Sequence, residues 1–273
     1  MQLTLEQASS PELLDLMWST FFQERGRGRG RSLVEYFPWL TDLRSSGTWL
    51  VTIRDDRSQP VAGLVVKRHF AHFDTASVGL VCVLADRRGQ GLSQSLLSGA
   101  IEQAHALGMT RLTLWTGKPA VYLKLGFQPR DSALLGWVRK TAALSASIAS
   151  PARRMTWPDS AERQGCNRGL PPFAVDAYRL IDGLDRAQAI VVDDGSGPIV
   201  AEWRGDDLDV AHLLRASLPA RWRMNALQGD RLIDELIGCG LDVDLAESCL
   251  QMWRIDAGVS RNALPPLRLL DRI

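Results

Sequence analysis

The segment Val78-Gly79-Leu80-Val81-Cys82-Val83-Leu84 carries no charged or amide side chain. A strand that is apolar on both faces must be covered from both sides, so it belongs at the centre of a sheet. It runs into Ala85-Asp86-Arg87-Arg88-Gly89-Gln90-Gly91. A helical pattern follows, with Leu92, Leu96, Leu97, Ala100, Ile101 and Ala104 on one face and Gly108 as its stop. A covered strand, an Arg/Gly turn and an amphipathic helix together point to an α/β chain with layers above and below a central sheet.

The flanking pattern fits that frame. Strands are expected at 2–6, 48–54, 61–70, 111–115 and 133–139, the last closing the unit. Ser10-Pro11-Glu12 marks a helix start, with Ser10 as cap and Pro11 in the first helical position. Leu13, Leu14, Met17, Trp18, Phe21 and Phe22 share one face of that helix. A second helix is expected over 32–44, interrupted at Pro38. Residues 72–75 read as a turn, and Pro119 opens a short helix ending at Gly126-Phe127.

Composition shifts between 141 and 172, where Ser, Ala, Pro, Arg and Gly dominate, and this reads as a linker. Beyond it the pattern gives helices at 174–181, 208–216 and 230–238, and strands at 189–192, 199–203, 221–226 and 248–255. That order looks like a worn copy of the first unit. Arg204-Gly205-Asp206-Asp207-Leu208-Asp209 can be laid on Arg88-Gly89-Gln90-Gly91-Leu92-Ser93, and Gly238-Cys239-Gly240-Leu241 on Lys124-Leu125-Gly126-Phe127. The expected division is therefore 1–141, a linker over 142–172, and 173–273.

Composition excludes several classes. The chain has 273 residues, with 32 Lys and Arg against 31 Asp and Glu, a net charge of +1. That balance argues against a nucleic-acid-coating protein. No apolar run approaches the roughly 20 residues of a membrane span, and residues 1–15 have no signal-peptide pattern. Cys82, Cys166, Cys239 and Cys249 are widely spaced, with no CxxC. This reads as reduced thiols in a cytoplasmic protein. His105 and His212 have no partners at metal spacing, so no metal is expected.

The turn after the covered strand is chemically an anion cradle. A helix N-terminus presents unpaired N–H groups and a partial positive charge. Gly89 and Gly91 permit the dihedrals of a backbone nest, Arg88 adds a permanent charge and Ser93 a hydroxyl. The set suits a pyrophosphate; an ordinary strand-to-helix turn is the plainer alternative. No Gly-Lys-Ser/Thr follows, so it is not a Walker loop, and it lacks the acidic partner of the dinucleotide fingerprint.

These residues carry a resemblance. The stretch 81–93 resembles motif A of the GNAT superfamily of N-acetyltransferases, Arg/Gln-x-x-Gly-x-Gly/Ala. Arg88 and Gly91 match, and Ser93 stands where Gly or Ala is usual. Ala120-Val121-Tyr122-Leu123-Lys124-Leu125-Gly126-Phe127 resembles motif B, Leu-Tyr-x-Lys-x-Gly-Phe. The resemblance covers residues 2–141 and implies a tandem GNAT-like fold with a mixed sheet flanked by helices in each half. It also implies acetyl-CoA, or another acyl-CoA, as co-substrate. Backbone near Val81 and Val83 would bond the pantetheine arm. Backbone from Arg88 through Gly89, Gln90, Gly91 and Leu92 to Ser93 would hold the pyrophosphate. Tyr122 matches the position that protonates the departing thiolate. Cys82 reads as a core residue.

The general base is not singled out: His69, His72, Asp74, Glu35 and a relayed water are equal candidates. The run from Arg25 through Arg27 and Arg29 to Arg31 reads as a solvated loop or as a frame for an acidic acceptor. The second unit has Asp206, Asp207 and Asp209 where the cradle would be, so it reads as a degenerate copy. Three activities fit: an N-acetyltransferase acting on a small-molecule or peptide amine, a non-catalytic acyl-CoA sensor, and an acyltransferase using a longer or carrier-bound acyl group.

Overall fold

In the computed structural model, residues 2–8, 10–26, 32–141, 152–157, 169–171, 173–260 and 264–273 are described. The first sheet opens with β1 (Gln2–Glu6), followed by α1 (Pro11–Phe21). Ser10 Oγ accepts the Leu13 N–H at 3.4 Å, as a cap should. A one-turn helix α2 (Leu33–Tyr36) and a 3-10 turn (Pro38–Thr41) replace the longer helix expected over 32–44. Pro38, which has no N–H to give, separates them.

β2 (Thr48–Arg54), β3 (Pro60–His69) and β4 (His72–Val83) form an antiparallel meander, with α3 (Leu92–Ala106) crossing to β5 (Arg111–Trp115). The expected turn at 72–75 is the start of β4, because the β3–β4 hairpin closes tightly with His69 opposite His72. A short helix α4 (Pro119–Leu123) and β6 (Gln128–Pro129) follow.

The next strand departs from expectation. β7 (Ala133–Lys140) forms where predicted, but it joins the second sheet, between β12 (Arg221–Leu227) and β13 (Leu241–Glu247). In return β14 (Gln251–Ile255) pairs with β5 and β6 of the first sheet. The remaining strands of the second sheet are β8 (Arg153–Thr156), β9 (Asp176–Ile181), β10 (Ala187–Asp193) and β11 (Pro198–Gly205), with helices α5 (Asp207–Ser217) and α6 (Leu232–Gly238). The sheet orders are β1-β2-β3-β4-β5-β14-β6 and β8-β9-β10-β11-β12-β7-β13. They coincide place for place, and in each the sixth place is filled by a strand from the other half. The internal repeat is real, and its two copies exchange one strand.

Two other expectations fail. Within 174–181, where a helix is expected, residues 176–181 form strand β9. Ala177 faces one core and Tyr178 and Leu180 the other, and such a doubly buried strand has no alternation to distinguish it. Within the expected linker, β8 pairs with β9, whereas 142–151 and 158–168 lie outside the described residues.

The exchange is tied by one carboxylate. Asp131 lies in the three-residue link between β6 and β7. Its Oδ1 accepts the Ala133 N–H at 2.8 Å. Its Oδ2 accepts the Leu250 and Gln251 N–H groups at 2.9 and 3.0 Å, and the Ser248 hydroxyl. Residues 248–250 form the link between β13 and β14, so both crossing points hang on Asp131. Burial pushes its pKa up, but the donors from Ser248, Ala133, Gln251 and Leu250 outweigh this and hold it below the usual carboxylate value.

A carboxyl with a depressed native pKa stabilises the fold above its unfolded value, about 3.9, and that contribution fades as pH falls through the native value. Asp131→Ala should therefore lower unfolding stability at neutral pH by about 2–4 kcal/mol, since it strands several donors. Asp131→Asn should flatten the acid side of the stability profile. Urea unfolding across pH 3–7 measures both.

Candidate functional site

β4 and β5 run parallel but pair only at Thr75–Arg111, Ala76–Leu112 and Ser77–Thr113. Beyond Ser77 the two strands part and leave a fork. A bulge accompanies the parting: Gly63 faces Cys82 and Val65 faces Gly79, so Leu80 and Val81 share one partner position. Leu80 takes φ +50°, left-handed backbone that a leucine adopts only under constraint. The bulge also switches the strand's faces. Ala76 and Val78 pack under α3, and after the bulge Val81 and Val83 do so, while Leu80 and Cys82 face the opposite core. Leu84 N–H bonds back to Val61 O at 2.9 Å. By strand alternation the Val83 and Val81 peptide groups then point toward the fork.

The turn leaving β4 has the makings of the expected cradle. Gly89 and Gly91 sit at φ +80° and +77°, and a Cβ added at either would meet nothing within 4 Å. Their glycine character is thus required by conformation and leaves the surface bare. Gly91 is the cap of α3 and offers no side chain. Among the described residues, no acceptor takes the N–H groups of Gly89, Gln90, Gly91, Leu92 or Ser93. Five consecutive donors at a helix N-terminus fit a pyrophosphate in both charge and number. Arg88 contributes differently from its neighbours, because its own N–H is given to Ala85 O at 3.4 Å. Its Nε donates to Val83 O at 3.1 Å, and its Nη2 reaches Glu24 Oε1 and Oε2 at 3.1 and 3.2 Å. Nothing in the spacing of Glu24 announced this pairing.

Tyr122 lies in α4 and packs into the same cluster as Val81, Val83 and Leu92. Its ring meets Phe127 edge-on at 6.1 Å. Burial raises the phenol pKa, against a smaller opposing effect of a hydrogen bond with Thr116. Cys82 is buried as expected, and burial pushes its thiol up to about 12, which removes it as a nucleophile at neutral pH.

On the other face of the fork lie residues that sequence spacing did not nominate. Leu112 and Leu114 pack under α3, so Thr113 and Trp115 face away from it. A Cβ at Gly79 would come within 2.4 Å of Ile273 O, so glycine lets Ile273 lie against β4. A cavity of about 590 Å³ opens beside the strand exchange, lined by Arg130, Asp131, Gln228, Gln251, Trp253 and Pro265 among others. Two of the candidate bases have partners within the chain. His69 Nε2 meets Ser77 Oγ at 2.8 Å, and Asp74 pairs with Arg111. Asp74 to Val81 spans seven strand residues, about 20 Å at ~3.3 Å each. Of the arginine run, residues 27–31 lie outside the described residues.

The second half repeats the fork but not the cradle. β11 and β12 pair in parallel only at Ile199–Arg223 and Val200–Met224. The helix that follows is capped by Asp206, whose Oδ1 accepts the Leu208 and Asp209 N–H groups at 3.0 and 3.4 Å. Asp206 occupies the cap position that Gly91 has in the first half, one place earlier than the sequence alignment gave. Gly205 is still strand, and a Cβ there would lie 2.1 Å from Arg186 O. Two of the N–H groups that would meet an anion, those of Leu208 and Asp209, are already bound to the chain's own carboxylate.

Among the described residues, no helix is long and apolar enough to cross a membrane, and no group of three side chains could hold a metal ion. Residues 10–127 match the acetyltransferase (GNAT) family. The structure of a GCN5-related N-acetyltransferase from Anabaena variabilis aligns with a TM-score of 0.62 and 14% identity, over 93% of this chain and 73% of that one. A probable N-acyltransferase from Enterococcus faecalis gives 0.63 and 13%, with the same coverage. A tandem GNAT protein from the clavulanic acid biosynthesis pathway gives 0.56 and 14%, over 95% of this chain and all of that one. At these identities the likeness is one of fold. No curated protein matches the sequence.

Two outcomes are expected at the cradles. Arg88→Glu should weaken acetyl-CoA binding at least about tenfold, one charge reversal near a pyrophosphate, and should weaken a pantetheine thioester without pyrophosphate much less. Equal losses would refute the cradle. Calorimetry on the intact chain should give one acetyl-CoA per chain, and a second, Arg88-independent event would show that Asp206 does not close the second site.

Proposed function

We propose, from the match of residues 10–127 to the GNAT acetyltransferase family, that this chain transfers an acetyl group from acetyl-CoA to a primary amine, with the chemistry in the first half. The observation that carries the reading is the row of five unclaimed N–H groups, Gly89 to Ser93, at the mouth of the β4–β5 fork. We assign residues 1–141 to the acyl-CoA unit and residues 173–273 to a degenerate copy, joined through 142–172; the two exchange β7 for β14, and β8 of the joining segment adds to the second sheet. Unpaired Cys82, Cys239 and Cys249 fit a cytoplasmic setting.

The thioester supplies an activated acyl carbon that an amine attacks directly. The chain's residues then have separable tasks. The glycine turn and Arg88 hold the pyrophosphate, and the fork-facing Val81 peptide and Val83 N–H hold the pantetheine arm, Val83 O being taken by Arg88 Nε. Tyr122 keeps its proton at neutral pH because burial disfavours the phenolate, so its hydroxyl is a ready donor to a departing thiolate. Arg88 must leave Glu24 or share its charge when the pyrophosphate arrives. That exchange is cheap, since exposed ion pairs contribute only about 0–1 kcal/mol.

The test is release of free CoA thiol across a panel of amines. Acetyl-CoA-dependent acylation of an amine supports the assignment, and tight binding without turnover on any amine would favour the sensor. Tyr122→Phe should lower kcat by about 10²–10⁴ with acetyl-CoA affinity nearly unchanged. Because the phenol is raised, the wild-type rate should hold through neutral pH and fall only above about pH 10. That alkaline limb should be missing from the Phe variant.

A further inference from the structure

Arg272 stands on the face of the fork opposite α3, and no role in the acyl-donor site uses it. Its neighbour Ile273 lies against Gly79 of β4, one residue before the bulge. Its guanidinium carbon sits 5.6 Å from the ring centre of Trp115, at the end of β5. Arg272 Nε and Nη2 are both shielded from solvent and have no hydrogen-bond partner among the described residues, and the same holds for Trp115 Nε1. Nε and Nη2 form one edge of the guanidinium, the edge that grips both oxygens of a carboxylate in a bidentate pair.

The carboxylates whose charge reaches Arg272 are committed elsewhere. Asp131 is saturated by the strand links, and Asp271 accepts the Arg268 N–H at 2.8 Å. Burial lowers the guanidinium pKa to about 10, which still leaves it charged at neutral pH. A desolvated cation with an unused donor edge is costly to keep. Such a group is retained where a ligand completes it.

We propose that Arg272, with the Trp115 indole N–H beside it, binds a carboxylate of the acceptor and so selects amines that carry one. The position suits this role. The Arg272–Trp115 pair lies across the sheet from the acyl-donor side, and Trp115 faces Gln251, which lines the neighbouring cavity. That cavity, at about 590 Å³, is of the size that holds a small molecule. The assignment of the ligand as an acceptor rests on the acetyl-transfer reading above. Carboxylate binding by Arg272 does not.

The experiment compares the full chain with Arg272→Gln and Arg272→Lys. Succinate and succinamide are added separately and melting is followed. Succinate should stabilise the wild type and succinamide should not, and Arg272→Gln should lose the succinate response. Arg272→Gln should melt at or above the unliganded wild type, whereas an arginine serving structure alone would leave the variant less stable. Acetyl-CoA affinity should be unchanged. On a matched pair, an amino acid and its primary amide, Arg272→Gln should cut kcat/KM for the acid roughly ten- to a hundredfold and leave the amide alone. Arg272→Lys should recover part of the preference, since it restores charge without the fork. An undiminished succinate response in Arg272→Gln, or no discrimination of succinate from succinamide by the wild type, would overturn the proposal. If Arg272→Gln does not fold, the acid-to-amide ratio in Arg272→Lys decides: a fall supports the site and an unchanged ratio overturns it. If the wild type binds no acetyl-CoA, the acyl-transfer reading fails, and the succinate comparison still judges Arg272.

Discussion

Asp131 holds the two halves in their exchanged arrangement, and the β4–β5 fork depends on that arrangement. Because β4 and β5 pair over only three positions, β5 cannot take its support from β4 where the fork opens. It is held from its other edge by β14, from Gln251 opposite Trp115 to Ile255 opposite Arg111. β14 belongs to the second half by sequence. Its entry into the first sheet is fixed by the Leu250 and Gln251 N–H groups on Asp131, and by Arg130 N–H on Gln251 O at 3.0 Å. Gln251 is itself buried and donates from Nε2 to Thr113 Oγ1 at 3.0 Å. The second half thus supplies the strand that borders β5 beside the fork.

The fork and the bulge are two consequences of one constraint. A sheet interior normally leaves no peptide group unpaired, so an opening must be forced by packing on both sides. The change of face at Leu80 does this. It places Val81 and Val83 under α3 while Leu80 and Cys82 meet the aromatic layer of Phe22, Tyr36 and Phe37. Both cores are satisfied, and the peptides between them are left facing the fork.

The sequence was legible where chemistry is local. The Ser10 cap, the covered strand, the Gly89/Gly91 turn, α3 and the Tyr122 to Phe127 stretch all follow from residues close together in the chain. What was hidden depends on distant pairing. β7 and β14 have strand patterns that name no partner sheet, so the exchange could not be seen. β9 is buried on both faces and loses its period. Leu80 has no signature of positive φ, since leucine is not a turn residue. Arg272 and Glu24 meet partners far along the chain, Trp115 and Arg88, and no local pattern names either pairing. The alignment error at Asp206 has the same origin: in one dimension Asp207 looks equivalent to Gly91, and only the helix start shows which residue caps.

That cap position is where two copies of one architecture differ at little cost to the fold. A helix N-terminus has a fixed set of unpaired N–H groups. They can be given to a side chain at the cap or kept for a ligand, but not both. Asp206 gives them to itself. Gly91 keeps them. A glycine cap is only a few tenths of a kcal/mol poorer than an aspartate one, so α3 remains stable while its donors stay unclaimed. The residue type at this one position separates a self-capped helix from one whose first N–H groups stay open, and the strand exchange keeps both in the same folded unit.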